Sequence, residues 1–145
     1  MAFSGNFMCT SFKKELMEGV HNFKSSGGNT FNLAMYTNSA SFNAATTAYT
    51  SGNEVSGTNY TAKGVALTRI DPASSGTTAF TQFSNAVFSN VTLTAVRGAL
   101  VFNDTASGDP TVCVLDFGGD KAASAGDFTV VMPTNNSSNA LIRIA

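Results

Sequence analysis

The sequence predicts a mainly β domain: a β-sandwich of jelly-roll-like or Ig-like kind, or a small barrel, with one amphipathic helix near its N-terminus. Three observations carry this. Seven or eight short runs of apolar and β-branched residues are separated by Gly, Asn and Ser turns, which is the spacing of sandwiches and barrels. Ser, Thr and Asn number 16, 18 and 14, one third of the 145 residues, so the chain is rich in strand and turn formers. Helical periodicity occurs only once. The length suits one domain spanning 1–145, divided into an apolar arm 1–9, a helix 10–24 and a β-sandwich 29–145.

The arm carries Phe3, Phe7 and Met8. It reads either as a strand of the same core or as an anchoring arm in an assembly. Phe12, Leu16, Val20 and Phe23 then recur every three or four residues, the stripe of an amphipathic helix. Thr10 or Ser11 would cap its start and Lys24 would complement its C-terminal dipole, before Ser25-Ser26-Gly27-Gly28 stops it. Gly19 inside the helix suggests close approach of another backbone. At Phe31–Tyr36 the period changes to two, giving a half-buried strand. Residues 38–59 are polar and weakly patterned, a long excursion with at most a short element near Thr46–Tyr49. Tyr60–Ile70 reads as a strand ended by Asp71-Pro72. Thr78–Phe83 and Val91–Phe102 follow, the latter with a bulge at Gly98. Asn103–Pro110 is a turn, Val112–Phe117 a strand, and Phe128–Met132 and Ala140–Ile144 the last two, the Gly/Asp segments between 118 and 127 forming a connection.

Charged residues are 12% of the chain and the formal net charge is −1. That removes the long-range basic field on which nucleic-acid binding depends. No apolar run approaches the ~18 residues of a membrane span, so neither nucleic acid nor membrane is an expected partner. The N-terminus has no basic n-region or sustained apolar stretch, which predicts no signal peptide. Cys9 and Cys113 match no metal spacing and read as small buried hydrophobes in a reducing compartment.

Catalytic chemistry finds little purchase. The single histidine, His21, sits near the end of the helix, where it reads as a surface group or dipole partner. No Gly-x-Ser-x-Gly elbow is present. Carboxylate pairs such as Asp104 with Asp109, or Asp116 with Asp120 or Asp127, would serve glycoside hydrolysis, but most lie in turns where Asp satisfies backbone donors. Calcium at the Asn103–Asp109 turn would lack the EF-hand pattern. The expectation is therefore no enzyme, no catalytic or metal-binding residue and no cofactor. Tyr36, Tyr49 and Tyr60 are the aromatic faces open to sugar stacking, or else residues packed at sheet margins.

Ordered blocks along the chain carry a resemblance. They are Ser11-Phe12-Lys13-Lys14-Glu15-Leu16, Gly19-Val20-His21-Asn22-Phe23, Thr30–Thr37, Thr47-Ala48-Tyr49-Thr50, Asn53–Gly57, Tyr60-Thr61-Ala62, Arg97–Val101, Val114–Gly118 and Ile142-Arg143-Ile144-Ala145. Together they resemble a family of small virion structural proteins of tailed bacteriophages, similar to capsid decoration or cement proteins. The resemblance implies a virion protein on the capsid surface, assembled in the host cytoplasm, whose partners are the major capsid protein and itself as a homo-oligomer, a trimer. Multivalent contact would give such an oligomer avidity from modest single contacts. Phe3, Phe7, Met8, Phe12, Leu16 and Phe23 are the candidate interaction residues. The alternative is a tail or fibre-base component with a host-surface carbohydrate-binding face.

Overall fold

A computed structural model describes residues 3–145; Met1 and Ala2 of the expected arm lie outside the described residues. The domain is mainly β, with two antiparallel sheets and one short helix. Its elements are β1 (Phe7–Met8), α1 (Thr10–Met17), β2 (Phe31–Tyr36), β3 (Val65–Ala66), β4 (Ala73–Ser75), β5 (Thr78–Thr81), β6 (Ala86–Asn103), β7 (Thr111–Val130) and β8 (Ile142–Ile144). The larger sheet runs β1-β7-β6-β2-β3 and the smaller β4-β5-β8.

The β6–β7 hairpin organises the molecule. Near its turn it is central: Val101 pairs Cys113 and Leu100 pairs Val114, while β2 flanks β6 from Phe31↔Asn103 to Tyr36↔Gly98. Both faces are covered there, so Ala99–Phe102 and Val112–Val114 form an unbroken buried run. The register shifts once beside the turn, between Val101 and Phe102, and four more times further from it. Gly118 (φ 75°) and Ala125 (φ 47°) adopt left-handed conformations within β7, and such bulges bend and twist a strand. These residues were expected to end a strand at Phe117 and begin another at Phe128. They bend one 20-residue strand instead. Phe117 and Phe128 would lie about 36 Å apart on a straight strand, yet their ring centroids are 6.1 Å apart.

The helix is shorter than the expected 10–24. It stops at Met17 because Gly19 takes φ 73° and closes a Schellman cap: Val20 N–H donates to Glu15 O (3.0 Å) and Gly19 N–H to Leu16 O (3.2 Å). A Cβ on Gly19 would meet nothing within 4 Å, so this glycine serves backbone conformation and not a close approach. Cys9, with no side-chain capping bond, occupies the N-cap position assigned to Thr10 or Ser11. Lys24 lies beyond the helix, and Lys14 is the basic residue of its last turn.

Of the expected 60–70 strand only Val65–Ala66 form a strand, paired with β2, while Arg69 makes a single isolated bridge to Phe83. Lys63 (φ 72°) and Gly64 (φ 67°) turn the chain there and press Gly64 onto β2, where a Cβ would lie 1.8 Å from Leu33 O. The excursion from Thr37 is tied down by isolated bridges, Tyr36↔Glu54, Ala48↔Pro110 and Thr58↔Thr92. Strand β4 escaped the sequence pattern because Ala73-Ser74-Ser75 carries no large side chain. It pairs β5 through a two-residue turn with Gly76 (φ 58°) at its first central position.

Phe12, Phe23, Phe31 and Phe83 pack together at the core's helical end, with Phe23 stacked on Phe31 at 4.4 Å. Phe3 lies beneath Gly98, where a Cβ would come within 2.5 Å of its ring. Gly98 thus marks both the bulge read from sequence and the place where the N-terminal segment enters the core.

Candidate functional site

Six residues were singled out for interaction, and the structure divides them. Phe3, Phe12 and Phe23 are buried in the chain's own core. Phe7 and Met8 form β1, pairing Val114 and Cys113, and are partly buried against the same core. Phe7–Met8 of the arm are therefore a strand of this domain, and Phe3 is spent inside its core. Leu16 and one edge of the otherwise buried Phe23 line a surface cleft, about 450 Å³, between the end of α1 and the smaller sheet, with Phe80, Ile142 and Ile144. Ile144 is 54% exposed, and Met17, next to Leu16 in the chain, is 84% exposed.

The densest polar cluster was not expected, because its centre, Glu54, sits in the weakly patterned excursion. The Glu54 carboxylate accepts hydrogen bonds from Tyr49 Oη (2.6 Å), Tyr60 Oη (2.7 Å) and the Lys63 backbone N–H (2.8 Å). Tyr60 Oη in turn accepts from Met35 N–H (2.9 Å), and Tyr36 Oη donates to Thr50 O (2.6 Å). Burial and then the Glu54 charge push the Tyr49 phenol up to about 12. Burial chiefly raises Tyr36 and Tyr60 beyond the ordinary phenol range. Tyr49 stacks on Phe102 (4.8 Å) and Tyr60 on Phe88 (5.7 Å). All three tyrosines thus pin the excursion to β2, and their rings are committed to packing. A signal existed in the sequence: three tyrosines and one acid within 25 residues of an otherwise polar stretch.

Lys63 Nζ lies 2.8 Å from Asp104 and 2.9 Å from Asp109, and these bonds hold its ammonium well above the usual range. It also sits over the Tyr49 ring, 5.6 Å from the centroid. The turn considered for calcium thus has the chain's own cation between its carboxylates. No group of three or more metal-ligating side chains occurs among the described residues.

His21 is not on the surface. Its side chain is fully buried, edge-on to Phe12 and stacked 6.1 Å from Phe31. Asn103 Oδ1 accepts the backbone N–H groups of Thr105 (3.0 Å) and Ala106 (3.1 Å), which directs its amide NH₂ toward His21 Nδ1 at 3.2 Å. Nδ1 must therefore accept, so the proton resides on Nε2 and is donated to Glu15 at 2.6 Å. Both ring nitrogens are satisfied, and the residue ties α1 to the end of β6. Arg69 does comparable work nearby, donating to the carbonyls of Lys24, Ser25 and Asn29.

Asp116 and Asp127 serve bends in the hairpin. Asp116 Oδ1 accepts from Gly118 N–H (2.9 Å) and lies 3.4 Å from Arg97 Nε. Asp127 Oδ1 accepts from Asn90 N–H (2.9 Å), where Asn90 takes φ 50°. Cys9 and Cys113 are buried free thiols, each raised by desolvation. The bend in β7 leaves a second cleft, about 460 Å³, lined by Phe117, Lys121, Asp127, Phe128, Thr129 and Val130.

No helix among the described residues is long and apolar enough to cross a membrane. No family model matches the chain, and neither a curated protein nor a solved structure matches it.

Proposed function

We propose that this chain is a small virion structural protein of a tailed bacteriophage, a decoration or cement protein that binds coat subunits on the capsid surface as a homo-oligomer. The resemblance of its ordered blocks motivates the reading. The observation that supports it structurally is the Leu16–Ile144 cleft, an apolar groove with Ile144 largely uncovered on its wall, and Met17, next to Leu16 in the chain, is a second large apolar side chain left exposed. Apolar patches rimmed by polar surface mark contact sites. Low charge lets such a surface dock with little desolvation penalty.

The contact surface moves accordingly from the arm to this cleft. Deleting residues 1–9 would strip Phe3, β1 and Cys9 from the core and unfold the domain, so it does not test docking. The test is immunogold labelling of intact virions, joined to head binding by Met17→Asp and Ile144→Asp proteins. Label over every head, with binding lost in folded variants, is the expected result. Label confined to the tail tip, or absent from virions, refutes the reading.

A further inference from the structure

The β7 cleft has a different chemistry from the Leu16–Ile144 groove. Two aromatic rings, Phe117 and Phe128, meet at 41° on one wall, neither of them fully buried. Around them stand an ammonium, a carboxylate and a hydroxyl, from Lys121, Asp127 and Thr129. Lys121 has no ion-pair partner among the described residues. Asp127 commits only Oδ1, to Asn90 N–H, which leaves Oδ2 to accept from a ligand. An apolar wall with a few convergent polar groups, at the lower end of the size range, describes a small-molecule site.

The ligand class follows from what each group wants. A phenyl face carries negative quadrupole density, which attracts the C–H face of a pyranose ring. Carboxylate and ammonium then accept from and donate to its hydroxyls as charge-assisted hydrogen bonds. A purely apolar ligand would desolvate Lys121 and Asp127 without replacing their water. An anionic ligand would meet the Asp127 carboxylate, which offsets the one ammonium, Lys121, on the cleft wall. We propose that the β7 cleft binds a neutral pyranose of a glycan, stacked on Phe117 and Phe128 and hydrogen-bonded by Asp127 and Lys121. This does not depend on the virion reading, since the site lies within one chain and its test needs no capsid.

The experiment is an NMR titration of the full chain, following the Val130 and Val131 methyls and the Phe117 and Phe128 rings. The probes are methyl α-D-glucopyranoside, methyl β-D-galactopyranoside and N-acetylglucosamine, with glycerol and benzyl alcohol as controls. At least one pyranoside should shift these signals saturably in the millimolar range while glycerol does not. Lys121→Met, an exposed change that leaves the core intact, and Phe117→Leu, which keeps apolar volume, should each weaken binding about tenfold. No response to any pyranoside, binding by both variants as tight as the parent's, or a response to benzyl alcohol alone would overturn the assignment.

Discussion

Glu54 offers the sharpest test of how the polar excursion is held. Its carboxylate accepts three hydrogen bonds at 2.6–2.8 Å, and among the described residues no other acceptor takes the Tyr49 hydroxyl proton. Glu54→Ala orphans the two tyrosine hydroxyls and removes the main acceptor of the Lys63 N–H. Leaving a buried donor unsatisfied costs about 1–3 kcal/mol, and partial solvent access at Tyr49 and Lys63 reduces this toward the lower figure. The sum is about 3–5 kcal/mol, typical of breaking a buried network by removing one partner. Glu54→Gln should cost less, about 1–2 kcal/mol. Its Oε1 still accepts from Tyr60 and Lys63, and the Tyr49 hydroxyl can rotate to accept from the amide. Urea unfolding measures both, as a fall in midpoint at unchanged slope. For a domain this size the alanine variant should melt about 10–15 °C lower. Stability of Glu54→Ala within about 0.5 kcal/mol of the parent would refute the reasoning. A cost for Gln equal to that for Ala would show that charge, not hydrogen-bond satisfaction, holds the network.

Alkaline pH probes the same cluster. The folded phenols titrate above their unfolded value near 10, so the folded state holds their protons more tightly. Their stabilising contribution is full below pH 10 and is lost as pH rises toward about 12 for Tyr49; tyrosinate absorbance should therefore appear cooperatively with unfolding, and a gradual titration centred near 10 would contradict the geometry. Glycine substitutions should separate sharply. Gly64→Ala forces a Cβ to within 1.8 Å of Leu33 O at φ 67°, so a loss above about 3 kcal/mol is expected, whereas Gly119→Ala meets nothing within 4 Å and should stay within about 0.5 kcal/mol by thermal melting. Cys9 and Cys113, buried and raised by desolvation, should resist a thiol reagent in the native state and react at a rate set by opening of the fold; immediate labelling of either would place β1 outside the core.

The sequence by itself determined the class of the fold and most of its inner strands. Phe31–Tyr36 and the run through Leu100–Phe102 were legible because one-sided or two-sided burial writes itself as period two or as an apolar run. The helix start and the Asn103–Pro110 turn were legible for similar local reasons. What lay beyond reach depended on left-handed residues and on partners far along the chain. Gly19 ends a helix, while Gly118 and Ala125 bend a strand without ending it. Composition cannot distinguish these, because both uses exploit the same backbone freedom. Ala73–Ser75 became a strand only because β5 was there to receive it. The sites followed the same rule. Phe3, Phe12 and Phe23 were visible as apolar residues, but whether they face a partner or their own core is decided by packing. Glu54 gains its role from Tyr49, Tyr60 and Lys63, which the excursion must fold to assemble. Phe117 and Phe128, 11 residues apart in sequence, share a cleft only because β7 bends between them. Local patterns encode which residues are apolar and where the chain turns; only the tertiary fold decides which of them meet.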